Sequence, residues 1–158
     1  MSEPGGLLAR LAGRGETLAV VESLTGGLLA ATIVAVPGAS DVFRGGLIVY
    51  ATDLKHTLAG VPADLLDARG PVDPAVAAVL ASGGRQRCGA DWALATTGVA
   101  GPASQGGVPV GTVYVSVAGP AGRAATQGLR LSGDRAAIRQ AAVQAALALL
   151  ADQLPAPG

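Results

Sequence analysis

The chain has 158 residues, 50% of them hydrophobic, and a formal net charge of zero, which fits one domain with a sizeable core. Basic runs are missing and aromatic residues make up only 3%, so binding to nucleic acid, through phosphates or stacked bases, is disfavoured. The apolar stretches are shorter than the roughly 20 residues of a membrane span, and the N-terminus does not read as a signal peptide. We therefore expect a cytoplasmic protein that binds neither nucleic acid nor a membrane.

Cys88 and His56 are each the only residue of their type. An internal disulfide and a thiolate metal cluster are therefore excluded, as is any site with two histidines. No clustered acidic motif indicates a magnesium site either. We expect neither a metal nor a cofactor.

The first half of the chain alternates between strand and helix patterns. A short helix around Leu7 to Leu11 precedes the valine-rich run Thr17 to Val21, which is typical of a strand buried on both faces. The order then continues with a helix from Leu28 to Val36, a second buried strand from Gly46 to Ala51, a short helix carrying Lys55 and capped by Thr52 or Asp53, and a helix from Pro62 to Ala68.

The second half begins with Asp73-Pro74, an N-cap followed by proline at the first helical position. The helix that it opens is predicted to end at about Arg87. The remaining predicted elements are a strand from Ala93 to Thr97, a glycine-rich loop from Gly98 to Pro109, a hairpin of Thr112 to Val117 with Arg123 to Leu131, and a long helix opened by Gly133-Asp134.

The hairpin has one wetter face, because Thr112, Tyr114 and Ser116 alternate with valines. Buried strands that alternate with helices, followed by a hairpin and a helix, predict an α/β fold: a three-layer α/β/α sandwich with a mixed sheet. We expect a single domain over residues 1–158, with a core from about 7 to 154.

Ligands of open α/β sheets bind beyond the carboxyl ends of the strands. Three predicted strands end in polar or glycine-rich turns, at residues 22–27, 50–55 and 96–107. The first of these turns carries Ser23 and then Thr25-Gly26-Gly27 at the start of a helix. Such a turn can hold a phosphate or an oxyanion on its backbone N–H groups. In the alternative interpretation, a serine or threonine merely caps the helix.

A nucleophilic serine needs a general base. Lys55 is a candidate if burial lowers its pKa, with Tyr50 as a proton relay. His56 and Glu22 are rivals, although Glu22 can instead be an acceptor for backbone N–H groups.

Two further segments are candidates for substrate contact. The loop from Thr97 to Pro102, with Gly98 and Gly101, indicates either close backbone approach to a ligand or a plain connection. Arg135 or Arg139, near the start of the last helix, can grip a phosphate or lie on a solvated face.

Taken in order, the motifs of this chain resemble the C-terminal domain family of the competence/damage-inducible protein CinA, whose stand-alone members include nicotinamide mononucleotide deamidase. The resemblance runs from about Glu16 to Leu150. Its segments are Glu22-Ser23-Leu24-Thr25-Gly26-Gly27, Gly45 to Tyr50 followed by Lys55, Gly60-Val61-Pro62, Thr97 to Pro102, Pro109 to Val113, and Gly133-Asp134-Arg135 with Arg139.

The resemblance implies an amidohydrolase of pyridine nucleotide metabolism and NAD recycling, which converts nicotinamide mononucleotide to nicotinic acid mononucleotide and ammonia. It implies a serine nucleophile assisted by lysine and tyrosine, which map to Ser23, Lys55 and Tyr50. The partner is then a small-molecule nucleotide, and the family's members associate, so we expect a homodimer or higher homo-oligomer. The substrate-binding residues that we assign are Thr25, Gly26, Gly27, Thr97, Gly98, Gly101, Arg135 and Arg139.

Three positions depart from the family's usual pattern. Leu24 replaces a cysteine, Tyr50-Ala51-Thr52 replaces Tyr-Ser-Asn, and the loop 103–108 replaces a run of glycines with Thr-Pro. Two alternative functions therefore stay open: a non-catalytic binding or regulatory relative of the same fold, and an amidase for another small phosphorylated amide.

Overall fold

The computed structural model describes residues 3–156, in which one five-stranded sheet lies between two layers of helices. Two short 3-10 turns, Ala39–Asp41 and Pro120–Gly122, accompany the main elements. In chain order those elements are α1 (Pro4–Arg14), β1 (Leu18–Glu22), α2 (Leu28–Val34), β2 (Phe43–Ile48), α3 (Thr52–Thr57), α4 (Ala63–Arg69), α5 (Pro74–Cys88), β3 (Trp92–Gly98), β4 (Thr112–Ala118), β5 (Ala124–Arg130) and α6 (Arg135–Gln153).

The strand order in the sheet is β2-β1-β3-β4-β5. Strand β1 pairs in parallel with both β2 and β3, whereas β4 is antiparallel to β3 and to β5. The sheet is therefore mixed, and the predicted three-layer α/β/α sandwich is confirmed. All five residues of β1 are buried, as expected for an interior strand that is covered by helices on both faces.

Each face of the sheet has its own apolar cluster. On one face, leucines and valines of α1, α2 and α6 pack around Trp92 and Leu94 of β3. On the other face, α5 and the short helices α3 and α4 pack around Val21 of β1 and Ala95 of β3. The chain leaves β1 through α2 to reach β2, and later returns across β1 to β3. The carboxyl end of β1 is thus a topological switch point, where open α/β sheets bind ligands.

The expectation that residues 46–51 form a buried strand is wrong. Strand β2 begins and ends earlier, at Phe43 and Ile48, and its residues alternate between partly buried and exposed. The reason is its position, because β2 is the edge strand beside β1 and has a neighbour on one side only.

The expectation of a wetter face on the hairpin is wrong for β4. Thr112 and Ser116 are buried and Tyr114 is partly buried, since α5 covers this face of the strand. The exposed positions lie instead on β5, the other edge of the sheet.

Two of the three helix caps predicted from the sequence are confirmed. The side chain of Asp73 accepts hydrogen bonds from the first turn of α5, and that of Asp134 caps α6. Helix α3, however, is capped by neither Thr52 nor Asp53; its N-cap residue is Ala51, which has no side-chain acceptor. Within residues 3–156, no helix combines the length and apolar character needed to cross a membrane.

Glycine lets α5 approach the sheet closely. A Cβ atom at Gly84 would collide with Cγ2 of Val21 on β1, and one at Gly83 would collide with the carbonyl oxygen of Ala59. Helix α5 therefore touches both β1 and the segment that follows α3.

Replacing Gly84 with alanine is predicted to destabilise the protein, because overpacking of a core contact costs about 1–3 kcal/mol. The matched control is Gly13→Ala in α1, where a Cβ atom would meet nothing within 4 Å. There the helix preference for alanine raises the free energy of unfolding by about 0.5–1 kcal/mol. Urea unfolding of both variants checks the opposite signs, and stabilisation by both would contradict the close packing of α5.

Candidate active site

A cavity of about 160 Å³ opens at the carboxyl end of β1, where the three predicted turns meet. Ser23 lies on its wall, directly after the last residue of β1. Residues of the second and third turns, of the segment before α5 and of the start of α6 complete the lining: Leu24, Tyr50, Thr52, Lys55, Pro71, Val72, Thr97, Gly98, Val99, Ala100, Gly101, Ala103, Gln105 and Arg135.

Ser23 and Lys55 are in direct contact in this cavity. The Lys55 Nζ atom lies 2.9 Å from Ser23 Oγ, and it also donates to the backbone carbonyls of Val49 at 2.8 Å and Tyr50 at 3.4 Å. Both side chains are buried, with 1% of Lys55 and 7% of Ser23 exposed. This is the distance at which a base can take a proton from a hydroxyl.

Burial lowers the pKa of Lys55 from its usual value to about 8. Within residues 3–156, no carboxylate lies within salt-bridge distance of Nζ, so nothing of opposite charge offsets the desolvation of the ammonium. An amine with such a pKa is partly neutral near physiological pH and can therefore accept a proton.

The two rival bases are engaged elsewhere. The Nδ1 atom of His56 lies 2.7 Å from the carbonyl oxygen of Val61, and His56 is exposed and does not line the cavity. The Glu22 carboxylate accepts the backbone N–H groups of Leu29 at 2.8 Å and Ala30 at 3.0 Å. Glu22 is thus the structural acceptor, the second of the two roles considered for it.

Two expectations about the first turn need correction. In the first turn of α2, Glu22 accepts the N–H groups of Leu29 and Ala30, and the N–H of Leu28 donates to the carbonyl oxygen of Thr25, so these groups are not free to bind a phosphate. The N-cap residue of α2 is Gly27, with φ of 104° and no side chain, so neither Ser23 nor Thr25 has the capping role. Gly26, with φ of 55°, also has left-handed backbone geometry, which lets the chain reverse between β1 and α2.

Buried hydroxyl groups fix the backbone of Ser23. Its N–H donates to the carbonyl oxygen of Thr96 at 3.1 Å and lies 3.4 Å from Thr96 Oγ1. The Thr25 and Thr96 hydroxyls are 2.8 Å apart. By contrast, among residues 3–156 the backbone N–H groups of Leu24 and Thr25 have no hydrogen-bond partner. They are the donors nearest to Ser23 in the chain that remain available for an oxyanion.

Tyr50 lies at the mouth of the cavity rather than beside the serine. It is 62% exposed, and its hydroxyl accepts a hydrogen bond from Nη2 of Arg135 at 3.1 Å. Nη1 of Arg135 donates to the carbonyl oxygen of Gly101 at 2.7 Å. Tyr50 therefore contacts Lys55 through its carbonyl oxygen, while its hydroxyl belongs to the rim with Arg135.

The residues assigned to substrate binding fall into two groups. Thr97, Gly98, Gly101 and Arg135 line the cavity, although the Thr97 hydroxyl donates to the carbonyl oxygen of Pro71. The other four lie outside its lining: Thr25, Gly26, Gly27 and Arg139. Arg139 donates to the carbonyl oxygens of Leu24 and Thr25.

Sequence reasoning missed several residues of the site. Pro71 and Val72 line the cavity because they immediately precede the Asp73 cap of α5, and no chemical pattern marks them. Thr96, by contrast, could have been identified from the sequence, because a hydroxyl group inside an otherwise apolar strand indicates a polar role. Among residues 3–156, no three His, Cys, Asp or Glu side chains group as metal ligands would.

Comparisons with known proteins all indicate the same family. The model of the family described as the CinA C-terminal domain matches residues 5–154. A CinA-like protein from Frankia casuarinae is 51% identical over 146 residues, which cover 92% of this chain and 34% of that protein. A CinA-like protein from an Anaeromyxobacter species is 49% identical over 150 residues, covering 93% of this chain and 36% of that protein.

Solved structures agree with that result. A CinA superfamily protein from Klebsiella pneumoniae has a TM-score of 0.92 and 32% identity, and the match covers 96% of this chain and 94% of that chain. A competence/damage-inducible protein from Agrobacterium tumefaciens has a TM-score of 0.88 and 30% identity, with 97% and 96% covered. The chain therefore spans nearly all of these solved chains but only 34% and 36% of the two curated relatives.

Lys55 is the only lysine in the sequence, so its pKa can be measured without ambiguity. In protein labelled with ¹³C-lysine, we expect a single side-chain Cε resonance that titrates near pH 8. Burial without a carboxylate partner is the physical reason. The variant Lys55→Arg assigns the signal by losing it, and a midpoint near the ordinary value of ~10.4 would contradict the buried, unpaired amine.

Proposed function

The chain belongs to the CinA C-terminal domain family, and from that premise we propose that it is an amidohydrolase that converts nicotinamide mononucleotide to nicotinic acid mononucleotide and ammonia. The observation that carries the proposal is the 2.9 Å contact between Lys55 Nζ and Ser23 Oγ. It joins a nucleophile to a base inside a cavity at the switch point of the sheet.

In the first half of the reaction, the neutral amine of Lys55 takes the proton of the Ser23 hydroxyl. The Oγ atom attacks the carboxamide carbon, and the C=O double bond becomes a C–O⁻ single bond. The ammonium of Lys55 then donates its proton to the carboxamide nitrogen as the C–N bond breaks. Ammonia leaves, and an ester of Ser23 with the nicotinoyl group remains.

In the second half, a water molecule attacks the ester while Lys55 takes one of its protons. Collapse of the tetrahedral intermediate breaks the bond to Ser23 Oγ, which recovers the proton from Lys55. The product is the carboxylate of nicotinic acid mononucleotide. The carbonyl oxygens of Val49 and Tyr50 support this cycle, because they accept hydrogen bonds from Nζ and stabilise the ammonium form that arises twice.

Charge near the cavity fits an anionic nucleotide. Arg135 is held at the mouth by Gly101 and Tyr50, and a guanidinium in a fixed orientation suits a phosphate. Gly98 and Gly101 bring their backbone to the wall of the cavity. Tyr50 in this proposal assists Lys55 through its backbone carbonyl and orients Arg135 through its hydroxyl.

A second candidate, an amidase for a different small phosphorylated amide, is favoured by one observation. Ala103 and Gln105 line the cavity, at positions where the family's usual loop carries glycines. A changed rim alters substrate choice without touching the serine. The non-catalytic alternative is less well supported, because the Ser23–Lys55 contact is intact and Lys55 has a lowered pKa.

Replacing Ser23 with alanine is predicted to reduce ammonia release from nicotinamide mononucleotide by at least about three orders of magnitude, because the covalent route is lost. The matched control, Ser82→Ala, changes an exposed serine on α5 and leaves the rate unchanged. Coupled detection of ammonia, with circular dichroism to verify folding, is the measurement. Near-normal release from folded Ser23→Ala protein would reject the serine mechanism.

The general base is tested by Lys55→Ala and His56→Ala. Only neutral Lys55 can accept the serine proton, so kcat/KM of the wild-type protein is expected to rise with pH and level off above about 8. Lys55→Ala removes nearly all activity at every pH, whereas His56→Ala keeps both the rate and the profile. A large loss from the histidine change, with little from the lysine change, would overturn the assignment.

A further inference from the structure

We propose that Arg139 is a positioning residue of the oxyanion site: it orients the backbone of the turn after Ser23 and does not bind the phosphate of the substrate. The inference rests on the proposed amide hydrolysis at Ser23. Its basis is a pair of charge-assisted hydrogen bonds to the turn from a side chain that does not line the cavity.

The guanidinium of Arg139 grips two consecutive peptide groups. Nε donates to the carbonyl oxygen of Leu24 at 2.9 Å, and Nη2 donates to that of Thr25 at 2.9 Å. Arg139 lies on α6, and its contacts with the turn span more than a hundred residues of sequence. The side chain does not line the cavity, and within residues 3–156 it has no carboxylate partner. Its charge is therefore directed at the turn.

Because a peptide group is planar, hydrogen bonds from Arg139 to two carbonyl oxygens also fix the direction of the N–H groups in the same two peptides. In a trans peptide the C=O and N–H bonds point in opposite directions. The carbonyl of Thr25 faces Arg139, and the N–H of Gly26 in the same peptide points back and donates to the carbonyl of Ser23 at 3.1 Å. The carbonyl of Leu24 also faces Arg139, so the N–H of Thr25 is likewise turned away from the arginine.

Like the N–H groups of Leu24 and Gly27, that N–H has no hydrogen-bond partner among residues 3–156, and Leu24 and Thr25 carry the two such donors nearest to Ser23 in the chain. A cation bonded to the carbonyl end of a peptide polarises it and strengthens the hydrogen bond that its N–H can donate. Negative charge developing on the carboxamide oxygen during attack by Ser23 gains from this polarisation, whereas the neutral substrate gains little. Arg139 then affects kcat rather than KM.

The test compares Arg139→Met and Arg139→Lys with the control Gln140→Ala, an exposed neighbour on α6. Methionine keeps much of the apolar stem but neither hydrogen bond. Lysine keeps the charge but lacks the planar fork that reaches two carbonyls at once. Two readouts are taken on each folded variant: kcat and KM for nicotinamide mononucleotide, and the rate at which a fluorophosphonate labels Ser23.

We expect Arg139→Met to lower kcat by about 10²–10³-fold, the size of effect seen when an oxyanion donor is lost, with KM within about twofold of wild type. Labelling by the fluorophosphonate slows in parallel, because the phosphonyl oxygen uses the same donors. Arg139→Lys lies between Arg139→Met and wild type in both readouts, and Gln140→Ala matches wild type.

A KM raised tenfold or more with kcat unchanged would overturn the proposal and assign Arg139 to the phosphate. Unchanged kcat and labelling rate in both arginine variants would also overturn it. Absence of ammonia release from the wild-type protein would instead refute the proposed function. The labelling rates still test Arg139 in that case, because the probe needs Ser23 but not the natural substrate.

Discussion

The contact between Lys55 and Ser23 joins two turns that are separated by 32 residues in the chain, and the chemistry of the site depends on it. An ammonium group taken out of water loses hydration, and among residues 3–156 the loss is offset by neutral acceptors alone, the hydroxyl of Ser23 and two backbone carbonyls. A carboxylate in their place would hold the lysine protonated and raise its pKa. Carbonyls satisfy the ammonium while leaving the neutral amine accessible.

In the proposed reaction, the turn after β1 holds the serine still while its proton moves to Lys55. It is fixed from three sides: the Glu22 carboxylate binds the start of α2, Thr96 binds the backbone of Ser23, and Arg139 binds the carbonyls of Leu24 and Thr25. None of these groups lines the cavity. These supporting groups contact backbone atoms, so they leave the Oγ atom of Ser23 and the Nζ atom of Lys55 free to react.

The loop 103–108, one of the three segments that depart from the motifs of the resemblance, contributes to the mouth of the cavity. Ala103 and Gln105 lie there beside Arg135, which is held by Tyr50 and Gly101. Under the proposed function, substitutions at such a rim change which substrates fit, whereas the buried Ser23–Lys55 pair sets what reaction occurs. In that proposal, the residues that set the type of reaction and the residues that select the substrate lie on different parts of the same cavity.

The sequence by itself determined the architecture and the chemical pair. Valine-rich runs and the Asp73 and Asp134 caps predicted the strands and helices, because these signals are local and depend on backbone propensity and side-chain hydrogen bonds within a few residues. The ordered motifs brought Ser23 and Lys55 together as a hypothesis. Nothing local indicated that β2 lies at the edge of the sheet or that α5 buries the polar face of β4, because burial depends on which elements become neighbours.

Only the tertiary structure decided the roles of the remaining polar groups. Glu22 was a possible base in the sequence and is a backbone acceptor in the fold. Arg139 was assigned to the substrate from its place near the start of α6, and in the fold its guanidinium donates to the carbonyls of a turn that is 115 residues away in the chain. A side chain's role depends on the direction in which it points and on the atoms that it meets. Those are long-range properties of packing, which residue type and spacing do not specify.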